Sequence, residues 1–135
     1  VDGDSASAGD FDYQLCTDNI CTFEDIKAGQ KNGSDIQIIE CRPAPSLNEG
    51  NSEASWIKIP VTEMVKGDGC GYSAAEIEQL LKDKGVDLNK PMALSCGGAI
   101  TASYNYAAIS NLACCKEKIY LYDGSWAEYG ARRNE

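Results

Sequence analysis

The sequence predicts an α/β domain in which short parallel strands alternate with helices. Runs of β-branched and apolar residues recur along the chain, and several of the segments between them carry signals for the start of a helix. Strands that are separated by helices usually pair in parallel, because each helix returns the chain across one face of the sheet. The chain has 135 residues, of which 43% are hydrophobic, enough for one domain with a substantial core.

The acidic composition excludes some classes of partner. The chain has 21 acidic and 12 basic side chains and a formal net charge of −9, so it has no basic footprint for nucleic acid or an anionic membrane. No apolar run approaches the roughly 18 residues that cross a bilayer, and no secretory signal is visible. We expect an intracellular protein, and the sequence does not decide between a mitochondrial and a cytoplasmic location.

The chain has seven cysteines and no histidine. It contains no Cys-x-x-Cys motif, so we predict neither a metal site nor a cofactor, and a Cys–His or Ser–His catalytic pair is excluded within the chain. A domain of this size does not need a disulfide scaffold, and most of the thiols are expected to be reduced. Cys114 and Cys115 could form a resolving pair, although packing late in a helix is the favoured interpretation.

The first half of the chain begins with a polar segment. Residues 1–12 are rich in Gly, Ser and Asp and are expected to be flexible, which leaves residues 13–135 as a single domain. Thr22 is a plausible N-cap, because an acidic first turn follows it. The elements predicted for this half are a strand at 13–16, a helix from Thr22 to Gly29 or Gly33, strands at 36–39 and 56–59, and a helical turn at 62–65.

The second half has the clearest helix. Ser73 and Glu76 form the Ser-x-x-Glu pattern of a capping box, an apolar stripe follows, and Gly85 ends the helix. Later apolar runs alternate with a further helical segment and a turn. The elements predicted here are a helix at 73–85, a strand at 91–94, a helix at 101–112, a strand at 119–122 and a turn at 123–125.

Cys96 stands between a predicted strand and a predicted helix. Two glycines, Gly97 and Gly98, follow it and allow the backbone to fold tightly. Ligands of parallel sheets bind beyond the carboxyl ends of the strands, which is where this cysteine would lie. Backbone N–H groups that converge at a helix N-terminus lower the pKa of a thiol and bind anions. The pattern therefore favours a nucleophilic thiolate, with a buried structural cysteine as the alternative.

Five segments, in order along the chain, carry a resemblance to a known family. They are Ile39-Glu40-Cys41-Arg42, Lys84-Gly85-Val86-Asp87-Leu88-Asn89-Lys90-Pro91, Ser95-Cys96-Gly97, Thr101, and Tyr122-Asp123-Gly124-Ser125-Trp126-Ala127-Glu128-Tyr129-Gly130. Over about residues 20 to 133 the chain resembles the rhodanese family, and within it the C-terminal catalytic domain of the thiosulfate and 3-mercaptopyruvate sulfurtransferases. The last segment is the most specific of the five.

The resemblance implies a rhodanese-like three-layer sandwich, with a parallel five-stranded sheet and helices on both faces. It implies that Cys96 takes sulfur from a small donor such as 3-mercaptopyruvate or thiosulfate, becomes a persulfide, and passes the sulfur to a thiol or cyanide-type acceptor. The backbone cradle for that persulfide would be Gly97, Gly98, Ala99, Ile100 and Thr101. The residues that would steer an anion or support this loop are Arg42, Asp123 and Ser125.

Several family positions differ in this chain. The loop lacks the serine that the family has at Gly98, a second arginine falls at Ser46, and the Gly-His-Ile-Pro-Gly segment is replaced at 54–58. The N-terminal domain of the two-domain enzymes is also missing. These changes weaken charge-assisted capture of an anionic substrate. The alternative is therefore a rhodanese-fold module with weakened catalysis, acting as a structural or binding subunit of a larger complex, for example in mitochondria. Ala102 stands where a related phosphatase would need arginine, which excludes that activity.

Overall fold

A computed structural model describes residues 12, 14, 17–47, 50–111 and 118–135. The helices are α1 (Phe23–Ala28), α2 (Ala74–Asp83), α3 (Ile100–Asn111) and α4 (Ser125–Arg132), and short 3-10 turns cover Ala44–Ser46 and Val61–Glu63. The strands are β1 (Ile20–Cys21), β2 (Gln30–Lys31), β3 (Ser34–Asp35), β4 (Gln37–Glu40), β5 (Ile57–Lys58), β6 (Met92–Ser95) and β7 (Ile119–Tyr122).

Five strands form one parallel sheet in the order β1-β7-β6-β4-β5. At its centre β4 and β6 pair in register from Gln37 opposite Met92 to Glu40 opposite Ser95. Their side chains alternate between two cores, as the period of a strand requires. One core lies under α2 and α3 and includes Leu94, and the other lies under α1 and α4 and includes Ala93. The predicted α/β sandwich with a five-stranded parallel sheet is confirmed.

The local signals for helix ends are confirmed at two helices. Thr22 caps α1, because its hydroxyl accepts from the Asp25 amide at 3.2 Å while the Asp25 carboxylate accepts from the Thr22 amide at 2.8 Å. The helix ends at Gly29, whose φ of 65° is the left-handed conformation that favours glycine. Ser73 and Glu76 form the same reciprocal capping box at the start of α2.

Several boundaries differ from the prediction, and four features were not predicted: β1, the 3-10 turn at Ala44–Ser46, the hairpin of β2 and β3, and helix α4. The strand expected at 36–39 is shifted by one residue, the strand at 56–59 is shorter, and the turn at 62–65 is a 3-10 turn one residue earlier. The hairpin of β2 and β3 turns at Asn32 and Gly33, with φ of 53° and 80°. Helix α4 begins at Ser125, within the turn predicted at 123–125, and continues through residues for which no element was predicted.

Some predictions fall on parts of the chain outside the described residues. These are most of the strand at 13–16, nearly all of the flexible segment at 1–12, the last residue of the helix at 101–112, and the pair Cys114 and Cys115. Within the described ranges, no helix is both long and apolar enough to cross a membrane.

Candidate functional site

Cys96 directly follows β6, at the carboxyl end of a central strand. The loop from Cys96 to Ala99 leads into α3, which begins at Ile100. Cys96 is 2% exposed, whereas Gly97 and Gly98 are exposed. Ile100 is 83% exposed and forms an apolar rim beside them. The fold therefore places a buried thiol next to two exposed glycines, at the edge of the sheet where parallel-sheet proteins bind ligands.

The Cys96 thiol differs electrostatically from the other buried thiols. Burial is the largest influence on its pKa and would raise it, but the Thr101 hydroxyl and the amides of Ala102, Gly98 and Thr101 together bring the pKa below the ordinary value of a thiol. At Cys21, burial followed by the Asp25 charge raises the pKa to about 12. Inward-facing donors thus make Cys96 a better candidate for a thiolate nucleophile than Cys21.

Cys41 directly follows β4, the strand that pairs with β6. Its amide donates to the Ser95 carbonyl at 2.8 Å, and both thiols belong to the core under α2 and α3. Burial strongly raises the pKa of Cys41. The polar side chain of Asn105 is also buried in this region, and its amide nitrogen donates to the Ile59 carbonyl at 3.0 Å. Cys41 is therefore suited to packing under the loop and not to nucleophilic attack.

Ser125 connects the loop to the start of α4. Its hydroxyl accepts hydrogen bonds from the amides of Cys96 at 3.1 Å and Ala99 at 3.0 Å, and it donates to the Tyr122 carbonyl at 2.9 Å. The side chain is fully buried. The signal available in the sequence was its place in the Tyr-Asp-Gly-Ser-Trp segment, which suggested loop support without specifying these bonds.

Two further contacts to the loop come from α4 and were missed by the sequence reasoning. The amide of Trp126 donates to the Cys96 carbonyl at 2.8 Å, and the amide of Ala127 donates to the Gly97 carbonyl at 3.0 Å. The first amides of a helix have no partner within the helix, so they are available for such contacts. No residue type marks this role, because backbone groups perform it.

Arg42 lies beside the loop, since a methyl group built on Gly97 would be 3.9 Å from its Cδ. Its guanidinium binds the fully buried Glu40 through two bonds, Nε–Oε1 at 3.0 Å and Nη2–Oε2 at 2.7 Å. Nη2 also donates to the Asn51 carbonyl at 2.6 Å, and the group stacks 4.9 Å from the centroid of the Trp126 ring. These contacts commit most of the guanidinium to holding neighbouring segments together.

Asp123 is exposed and takes no part in this network. Among the described side chains, no group of three or more potential ligands could hold a metal ion. The described part of the chain thus brings Cys96, the loop 97–101, Ser125 and Arg42 together and leaves Asp123 at the surface.

Known proteins are similar to this chain in sequence. The 3-mercaptopyruvate sulfurtransferases of Mus musculus and Escherichia coli K12 are 31% and 34% identical over 134 and 135 aligned positions, covering 91% and 92% of this chain. The thiosulfate sulfurtransferase of Gallus gallus is 31% identical over 117 positions and 80% of this chain. The matches cover 44%, 46% and 39% of these relatives, so the chain spans less than half of their length. No family model matches the chain.

Solved structures show the same architecture. SseA from Escherichia coli, described with the rhodanese fold of the 3-mercaptopyruvate sulfotransferases, superposes with a TM-score of 0.70 over 87% of this chain and 46% of its own, at 25% identity. Wild-type EanB gives a TM-score of 0.68 over 87% of this chain and 30% of its own, and at 16% identity it supports the fold alone. With the sequence matches, these similarities show that the chain is a homologue of the 3-mercaptopyruvate and thiosulfate sulfurtransferases and has the rhodanese fold.

Proposed function

We propose that the chain is a sulfurtransferase that carries sulfur as a persulfide on Cys96. The observation that carries the proposal is the place of Cys96, a buried thiol between the carboxyl end of β6 and the start of α3, where the Thr101 hydroxyl and nearby loop amides lower its pKa. A thiolate at neutral pH is the species that attacks sulfur, and loop donors that stabilise one sulfur anion also suit the anion of a persulfide. The named activities of the relatives support the same chemistry.

The first half of the reaction loads the sulfur. The Cys96 thiolate attacks the sulfur atom of the donor, and a new S–S bond forms. With 3-mercaptopyruvate the C–S bond breaks, its electron pair leaves on carbon, and protonation of the enolate gives pyruvate. With thiosulfate the S–S bond breaks and sulfite leaves. In both cases Cys96 gains one sulfur atom and no external oxidant is needed.

The second half returns Cys96 to its starting state. A thiolate or cyanide attacks the outer sulfur, the S–S bond to Cys96 breaks, and the Cys96 thiolate is the leaving group. The products are a persulfide of the acceptor or thiocyanate. A low pKa at Cys96 assists this step as well, because a more stable thiolate leaves faster.

Between the donors named by the relatives, 3-mercaptopyruvate fits this chain better. The loop reads Cys-Gly-Gly-Ala-Ile-Thr from Cys96 to Thr101 and carries no cation. The nearby Arg42 is paired with Glu40, so its positive charge attracts an incoming dianion such as thiosulfate only weakly. We therefore assign Arg42 mainly to loop support, with steering of a monoanionic carboxylate as its secondary role.

The proposal is tested by turnover with each donor. We expect pyruvate release from 3-mercaptopyruvate with a dithiol acceptor, slower thiocyanate formation from thiosulfate and cyanide, and loss of both in Cys96→Ser. Cys70→Ser is the matched control, because Cys70 is exposed and outside the loop. A folded chain that turns over neither donor would refute the proposal that this chain is an enzyme. It would favour the alternative of a binding or structural module.

The relatives are about twice as long as the part of them that this chain matches. We therefore include in the proposal a further domain or a protein partner that contributes groups to the site. Residues 13–135 as a single domain and an intracellular location remain predictions.

A further inference from the structure

The amides around Cys96 fall into two sets with different acceptors. The amides of Gly98, Thr101 and Ala102, called the inner amides below, lower the pKa of the Cys96 thiol. The amides of Cys96 and Ala99 instead donate to the Ser125 hydroxyl, at 3.1 and 3.0 Å. A hydroxyl has two lone pairs and one proton, and the bond from Ser125 to the Tyr122 carbonyl completes its capacity. Ser125 therefore binds the amides that do not face the sulfur.

The loop carbonyls are held from the same side. Those of Cys96 and Gly97 accept from the amides of Trp126 and Ala127 in the first turn of α4. With these carbonyls bound to α4, the intervening peptide groups have little freedom to rotate. Ser125 and the first turn of α4 thus contact the outer side of the loop while the amides of the inner side face the sulfur.

This loop contains a residue in an unfavourable conformation. Ala99 has a φ of 64°, in the left-handed region where a side chain costs roughly 1–2 kcal/mol relative to the ordinary helical conformation. Glycine would adopt this conformation without that cost. The Ala99 amide is one of the two that Ser125 binds, and Ser125 itself has a φ of 49°. Strain of this kind persists only where surrounding contacts fix it.

We propose that Ser125 is a positioning residue which holds the Cys96 loop, with Ala99 in its left-handed conformation, in the shape that directs the inner amides at the sulfur. The inference rests on the proposed function, in which Cys96 is the reacting thiol. It extends that function by naming the residue that keeps the loop in the shape that favours the Cys96 thiolate. Without the Ser125 hydroxyl, Ala99 can leave the left-handed region, and the inner amides lose their common direction.

The test measures ionisation of Cys96 in the absence of any sulfur donor. The protein is labelled with 13Cβ-cysteine, the Cys96 signal is assigned by its loss in Cys96→Ser, and its shift is followed against pH. In Ser125→Ala we expect the Cys96 pKa to rise by about one unit, which is tenfold less thiolate below the pKa. Adding Ala99→Gly should recover about half of that rise, because glycine removes the cost of the left-handed conformation.

Two controls separate this role from a general structural one. Ser103→Ala removes a hydroxyl from the first turn of α3 that donates to the Ile100 carbonyl at 2.7 Å, and it should leave the pKa unchanged. If Ser125→Ala does not fold, Ser125→Gly relieves the positive φ at that position and still removes the hydroxyl. An unchanged Cys96 pKa in the Ser125 variants, or no recovery on adding Ala99→Gly, would overturn the inference. Sulfur transfer does not enter this readout, so failure of the proposed function would be seen separately.

Discussion

Replacement of Arg42 by methionine is expected to lower the free energy of unfolding by about 3–5 kcal/mol. The Glu40 carboxylate is fully buried, and the two bonds from Arg42, at 3.0 and 2.7 Å, compensate its charge. Removal of one partner of a buried pair leaves the other charge without compensation, which accounts for most of this loss. The variant also loses the stacking on Trp126, a contact worth roughly 0.5–2 kcal/mol.

Urea denaturation followed by far-ultraviolet circular dichroism measures this loss. The matched control is the double variant Arg42→Met/Glu40→Gln, in which no buried charge remains. We expect it to recover about 2 kcal/mol of the loss, because a neutral side chain costs less to bury than a carboxylate. A loss below about 1 kcal/mol in Arg42→Met would show that the pair behaves as an exposed one, since such values are typical of exposed pairs. So would a double variant that is no more stable than the single one.

Three further changes test other parts of the account. Thr101→Val keeps the shape of the side chain but removes a donor to Cys96, so the Cys96 pKa should rise. The acid limb of the pH–rate profile for sulfur loading should then move to higher pH, and an unmoved limb would contradict this role of Thr101. Gly130→Ala should lower the melting temperature although alanine favours helices, because the added Cβ would lie 2.9 Å from Nε1 of the Trp126 indole. An unchanged or higher melting temperature would show that the indole ring moves aside at no cost. Ser73→Ala should destabilise the fold by about 1 kcal/mol in urea titrations through loss of the α2 cap, and an effect near zero would contradict that role.

The sequence allowed prediction of the sheet and of the helix starts because these features depend on local patterns. The capping boxes at Thr22 and Ser73 need only residues three positions apart, and both form. Alternation of strands and helices is enough to predict parallel pairing, although strand ends moved by one residue and the two-residue strand β1 was not predicted. The turn at Asn32 and Gly33 carried the usual signal for a hairpin, but strands of two residues are too short to show a period.

The contacts that shape the loop could not be predicted in the same way. Ser125 lies 29 residues from Cys96, and the Trp126 and Ala127 contacts are made by backbone amides that every residue except proline carries. Helix α4 contains Gly130 and has only eight residues, so its own helical signal is weak. The sequence therefore predicted where Cys96 lies in the fold, whereas the elements that hold its surroundings depend on tertiary packing.

The most direct test of the central claim is the intact mass of the protein after brief exposure to 3-mercaptopyruvate. We expect a gain of the mass of one sulfur atom, its removal by cyanide or a thiol, and its absence in Cys96→Ser. The same gain should persist in Cys70→Ser, whose exposed thiol lies outside the loop. A folded protein that retains no sulfur, or that retains it equally after Cys96→Ser, would contradict the assignment of Cys96 as the sulfur carrier.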